Sequence, residues 1–181
     1  LEVDGASSVV INSDKRTINI TLEEQTDIKR TNIRNISFDN ELTEMSWDIT
    51  GEHDLSKPLA VTLSIYQDYE WIITAEQPIE RYFTVEGQVG ASEIDAVNRR
   101  VVTYVNGSQS KSNITITSLK LGPKEISTYS PDITKLKDFT YGNEVEVSYH
   151  GRSEKWGLFV EQTETVVEMK SIAAWTGVAW V

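Results

Sequence analysis

The chain has 181 residues, with 17 Lys and Arg against 28 Asp and Glu, a formal charge of −11, and no cysteine. That field repels phosphate backbones and anionic membrane surfaces, which makes nucleic acid a poor partner. The missing thiols exclude disulfides, zinc–thiolate sites and cysteine nucleophiles. No apolar run approaches the roughly 18–20 residues of a membrane-spanning helix, and the prominence of Val, Ile, Thr, Trp and Tyr favours strands.

In chain order, period-two alternation predicts strands near 9–11, 16–22, 33–38, 43–49, 58–66 and 71–76, with polar or Gly/Pro punctuation between them. The segment 23–32 reads as a loop. The stretch from Asp54 to Gln77 reads as a hairpin: Leu59, Val61, Leu63 and Ile65 on one strand, a polar turn at 67–70, then Trp71, Ile73 and Ala75. A short connection, Glu76-Gln77-Pro78-Ile79-Glu80-Arg81, follows; its one Pro and lack of a Gly/Ser tract predict a restricted angle rather than a free tether.

The same pattern then returns after about 84 residues. Val3-Asp4-Gly5 matches Val85-Glu86-Gly87, Arg16 matches Arg99, and Ile18, Ile20 and Leu22 match Val101, Thr103 and Val105. Ile33, Ile36 and Phe38 match Ile116, Leu119 and Leu121, and Asp48-Ile49-Thr50 matches Asp132-Ile133-Thr134. A second hairpin, 138–162, turns at Gly151 and brings Trp156 onto Trp71. The expected fold is therefore all-β: two tandem antiparallel β-sandwiches of immunoglobulin-like type, over 1–77 and 85–162, joined by 78–84. Residues 163–181, which end in an apolar run, read as the first strands of a third module or as a docked tail.

Trp71 and Trp156 hold one place in two diverged copies, on the apolar face of a strand, which predicts structural core for both. Burying an indole's roughly 200 Å² is worth up to about 5 kcal/mol by area. Trp47 stands opposite Pro131 in the repeat and so lies outside the shared core; with Tyr66 and Tyr69 it is the candidate binding patch, three aromatics able to stack on sugar. The functional readings kept open are a non-catalytic spacer, a binding module that uses this patch or the loops, and part of an enzyme whose catalytic residues lie elsewhere.

Chemistry is sparse. His53 and His150 are the only histidines, at non-equivalent loop positions, so neither a His–His metal site nor a shared Ser–His–Asp arrangement is expected. No nucleophile elbow, phosphate loop or zincin motif occurs. The cluster Glu41, Glu44, Asp48, Glu52 and Asp54 could offer calcium oxygens, but it reads more simply as a solvated acidic face, with Asp54 and Asp138 serving turns. No catalytic residue, metal site or cofactor is expected.

Taken together, the Ile…(Asp/Asn)…(Lys/Arg)-Arg-x-(Ile/Val) pattern, the Asp-Leu or Asp-Phe turn before a Val-x-Val strand, and the closing Trp-x-(Ile/Leu)-x pattern resemble the Ig-like repeats of Bacteroidetes surface lipoproteins. These repeats stand amino-terminal to carbohydrate-metabolism domains of glycoside hydrolase type. The resemblance implies an exported protein at the bacterial cell surface or in the periplasm, held to the outer membrane through an upstream lipid anchor. It implies a downstream domain of the same polypeptide as partner, with glycan as a further one. It carries over no catalytic residue.

Overall fold

The computed structural model describes residues 1–163. The first eight strands are β1 (Glu2–Val3), β2 (Ala6–Asn12), β3 (Thr17–Leu22), β4 (Thr31–Asn35), β5 (Glu44–Met45), β6 (Gly51–His53), β7 (Leu59–Ser64) and β8 (Asp68–Glu76). They form a five-stranded sheet in the order β2-β3-β8-β7-β5 and a three-stranded sheet in the order β1-β4-β6. Alternation decides which face turns inward: in β3, Ile18, Ile20 and Leu22 are buried while Asn19 is exposed. They meet Val61 and Ile73 of the same sheet, Ile33 of the other, and Ile49 and Leu55 from the loops in one core.

The second set repeats this arrangement. It comprises β9 (Tyr82–Val85), β10 (Glu93–Asp95), β11 (Arg100–Val105), β12 (Ile116–Lys120), β13 (Thr128–Ser130), a 3-10 turn Ile133–Lys135, β14 (Asn143–Tyr149) and β15 (Arg152–Gln162). The sheets are β10-β11-β15-β14-β13 and β12-β9, and a separate core gathers Phe83, Val101, Leu121, Phe139, Trp156 and Leu158 with their neighbours. The 3-10 turn stands just ahead of the place where the first unit has β6. The fold is all-β, with the apolar faces of two sheets packed together in each unit. The further module expected over 163–181 falls almost wholly outside the described residues.

Loop details repeat as closely as the sheets. Arg16 and Arg99 both take a left-handed backbone, with φ of 53° and 52°. Their carbonyls accept from the amides of Ile72 and Gly157, respectively. Gln77 reaches back to the carbonyls of Glu24 and Thr26, and Gln162 does the same to Gly107 and Gln109.

Three sequence expectations are corrected here. Pairing is not wholly antiparallel: β3 runs parallel to β8, and β11 to β15. The chain between those strands passes through the other sheet, so it is long enough for a parallel return. The turn expected at 67–70 lies instead at 65–67, because Asp68 pairs with Ser64 and Tyr69 with Leu63. Polar Asp68 and Glu70 occupy the outer face of a continuing strand rather than a turn. Lastly, Trp156 is completely buried, whereas Trp71, at the matching register, is only half-buried at the rim of its core.

Candidate functional site

The difference between the two tryptophans marks a concavity of the first unit. β8 carries Trp71 and Tyr69, β7 carries Leu63, and the segment after β4 brings Ile36 and Phe38 across from the other sheet. Between them lies an open cleft of about 370 Å³, adjoined by a second hollow of about 270 Å³ that shares Phe38, Asp39, Leu63 and Trp71. Asp39 is the one carboxylate among the described residues lining either. One acid beside an apolar floor falls short of the carboxyl pair that glycoside hydrolysis uses.

In the second unit the matching space is filled. The Arg81 guanidinium lies 5.3 Å from the centre of the Trp156 ring, a cation–π contact, and Arg81 Nε donates to the Leu121 carbonyl at 2.7 Å. Glu154 collects the rest: Trp156 Nε1 donates to it at 3.2 Å, Tyr149 Oη at 2.8 Å, and Arg99 approaches to 3.7 Å. Burial, and then the bond to Glu154, push the Tyr149 hydroxyl up to about 12. Tyr69 holds the place of Glu154 in the first unit, and there the equivalent arginine, Arg16, stacks on the tyrosine ring at 4.6 Å.

The three aromatics singled out from the sequence do not form one patch. Tyr69 lines the cleft. Tyr66, at the tip of the β7–β8 turn, is 93% exposed. Trp47 lies just beyond Ser46, which pairs with Thr62, roughly 13 Å along the strand from Tyr66; it packs edge-on against His53, with ring centres 5.7 Å apart. His53 Nε2 in turn contacts the Ile49 carbonyl at 2.8 Å. Sequence spacing missed the cleft because its walls, Phe38 and Leu63, read as ordinary core positions. The available signal was the repeat itself, which aligns Tyr69 with Glu154, the residue that accepts from the Trp156 indole.

The acidic cluster dissolves into separate roles. Asp48 and Asp54 each accept from the amide two residues on, as do Asp132 and Asp138 at the matching places. These bonds hold all four carboxyls below their ordinary range. Glu52 pairs with Arg30. Among the described residues, no three His, Cys, Asp or Glu are grouped to hold a metal ion, and no helix is long and apolar enough to cross a membrane.

No family model matches this chain, and neither does any curated protein. Its function is therefore argued from its own geometry.

A second constellation lies where the two units meet. Lys120, 7% exposed, points from β12 to Glu24 Oε1 at 2.5 Å and donates to the Glu80 carbonyl at 2.9 Å. Arg152, at the start of β15, reaches Asp27 of the first unit at 2.5 Å. Glu24 and Asp27 sit in the loop that Gln77 clamps, so the last strand of the first unit, its 23–30 loop and the second unit are tied at one joint.

Proposed function

We propose that the chain is a non-catalytic tandem β-sandwich spacer of a bacterial cell-surface protein concerned with glycan use, holding a downstream domain of the same polypeptide at a set distance and angle. The observation that carries this reading is the joint. A flexible connector would show exposed, unpaired linker residues. This one is anchored by Gln77, Arg81, the Lys120–Glu24 pair and the Arg152–Asp27 pair, two of whose members are largely withdrawn from water. Partly desolvated pairs are screened less by salt and cost more to break than surface pairs. The surface location, the lipid anchor and the link to glycans rest on the family resemblance, and a glycoside hydrolase activity would belong to residues outside this chain.

Absence of cysteine makes the test direct. Spin labels attached through Asp14→Cys and Val97→Cys, exposed and at equivalent turns of the two units, report the distance across the joint. A spacer gives one narrow distance distribution that persists in physiological salt. A broad distribution would overturn the reading. In parallel, glycan-release assays with the purified chain should match a buffer blank; turnover lost on changing one of its Asp or Glu residues would make it an enzyme.

A second reading, a binding module, is favoured by the Trp71 cleft alone.

A further inference from the structure

The loop that follows β11 differs in chemistry from its counterpart after β3. By the repeat, Glu23 and Glu24 of the first unit stand where the second has Asn106 and Gly107. Asn106 is the one asparagine of the chain that precedes glycine, whereas Asn19, Asn32, Asn35 and Asn113 all precede isoleucine. It is exposed, on a turn outside the sheet. Asn106 Oδ1 accepts from the Ser108 amide at 3.0 Å and from Ser108 Oγ at 2.8 Å. Among the described residues, the Gly107 amide donates to no group. The turn itself is held from outside, because Gln162 Nε2 donates to the carbonyls of Gly107 at 3.1 Å and Gln109 at 2.6 Å.

We propose that Asn106 and Gly107 form a self-modifying site, at which the folded chain converts Asn106 to aspartate, or to its β-linked isomer, through a cyclic imide. The Gly107 nitrogen attacks Asn106 Cγ. The new N–C bond closes the imide ring, the Cγ–Nδ2 bond breaks, and Nδ2 leaves as ammonia with the proton that the Gly107 amide gives up. Water then adds to one of the two ring carbonyls and opens the imide. The net reaction takes up one water and releases one ammonia, with no oxidant or reductant. Three features favour it here. Glycine has no Cβ to crowd the attack, while the branched side chain of isoleucine does crowd it. The Gly107 amide has no protein acceptor to abandon before its nitrogen reacts. Negative charge develops on Oδ1 as the nitrogen adds, and Ser108 aims two donors at that oxygen. The β-linked product inserts a further atom into the main chain ahead of Gly107, which draws the Gly107 carbonyl away from Gln162 and loosens the clamp on this loop. The matching loop of the first unit, 23–30, holds no asparagine, so the change is confined to the second unit.

The test incubates the purified full chain in mildly alkaline buffer made with H₂¹⁸O and follows the fragment that holds Asn106 by mass spectrometry. The expected result is loss of ammonia and uptake of one ¹⁸O at Asn106, with the asparagines ahead of isoleucine unchanged. Part of the product should resist an aspartate-directed protease, the mark of the β-linked isomer. The rate should at least equal that of a synthetic peptide of residues 101–112, which has the same sequence without the fold. Gly107→Ala, at a position whose φ is not left-handed, should slow the conversion about tenfold or more while Tm is retained. Ser108→Ala removes one of the two donors to Oδ1 and should slow it severalfold. In the aged chain, hydrogen exchange should quicken over 107–109 and stay unchanged over 23–30. An Asn106 that remains intact in the folded chain while the peptide converts would overturn the proposal. So would a Ser108→Ala chain that converts at the parent's rate.

Discussion

At the residue scale, the two tryptophans show how one sequence position acquires two energies. Both sit on the apolar face of the last strand, but only Trp156 has Arg81 above its ring and a carboxylate for its indole nitrogen. Trp156→Ala should cost about 3–5 kcal/mol, the range for emptying a filled aromatic site. Trp71→Ala should cost about 1–3 kcal/mol, since part of its ring surface stays in water. Denaturant titrations of the two variants check this, and equal costs would mean equal burial. Tyr149 adds a pH dependence. Its folded value, about 12, lies above the ordinary 10, so its contribution is complete below about pH 10 and is lost as pH climbs from there toward 12. A Tyr149→Phe chain should lose less stability over that window than the parent, measured by melting temperature across alkaline buffers.

At the element scale, the two copies are held by the same devices made from different residues. Gly5 and Gly87 both have left-handed φ, of 66° and 73°, at the turn that leaves the first strand of each unit. A Cβ at Gly5 would collide with the Thr26 side chain, whose hydroxyl bonds the Gly5 carbonyl, and one at Gly87 would collide with Gln109. Gly5→Ala should therefore destabilise its unit by more than the ~1–2 kcal/mol of left-handed strain, and Gly87→Ala, where the flexible end of Gln109 can move aside, by about that strain alone. Hydrogen exchange should report the loss in one unit and spare the other. Gln77 and Gln162 give a matching expectation. Replacing either by Ala removes two bonds to loop carbonyls, worth about 1–2 kcal/mol together, and Gln77→Ala should also loosen the joint, because the loop it holds carries Glu24 and Asp27.

At the scale of the whole molecule, the joint separates stability from orientation. Glu24→Ala leaves the Lys120 ammonium, 7% exposed, with only a carbonyl for partner, which should cost about 3 kcal/mol or more. The double change Glu24→Met with Lys120→Met removes both charges together and fills similar space, so its effect on Tm should be small. Yet both should broaden the spin-label distance across the joint. A joint held by shape alone would keep its narrow distribution in both variants, and this comparison tells the two cases apart.

Much of the fold was legible because strand alternation and the internal repeat are properties of the sequence itself. Ile18, Ile20 and Leu22 against Val101, Thr103 and Val105 could be aligned without coordinates, and the Asp54 and Asp138 turns followed from residue chemistry. The strand direction of β8 and β15, the depth of each tryptophan, and the meeting of Lys120 with Glu24 could not be read in this way. Pairing across 55 or more residues depends on the path taken between the strands, and burial depends on what a neighbouring segment places overhead. Sequence determined that the chain is two copies of one β-sandwich pattern with no catalytic motif. Tertiary structure alone decided that Trp156 is fully buried beneath Arg81 and beside Glu154 while Trp71 is only half-buried, because burial depends on what neighbouring segments place over a ring.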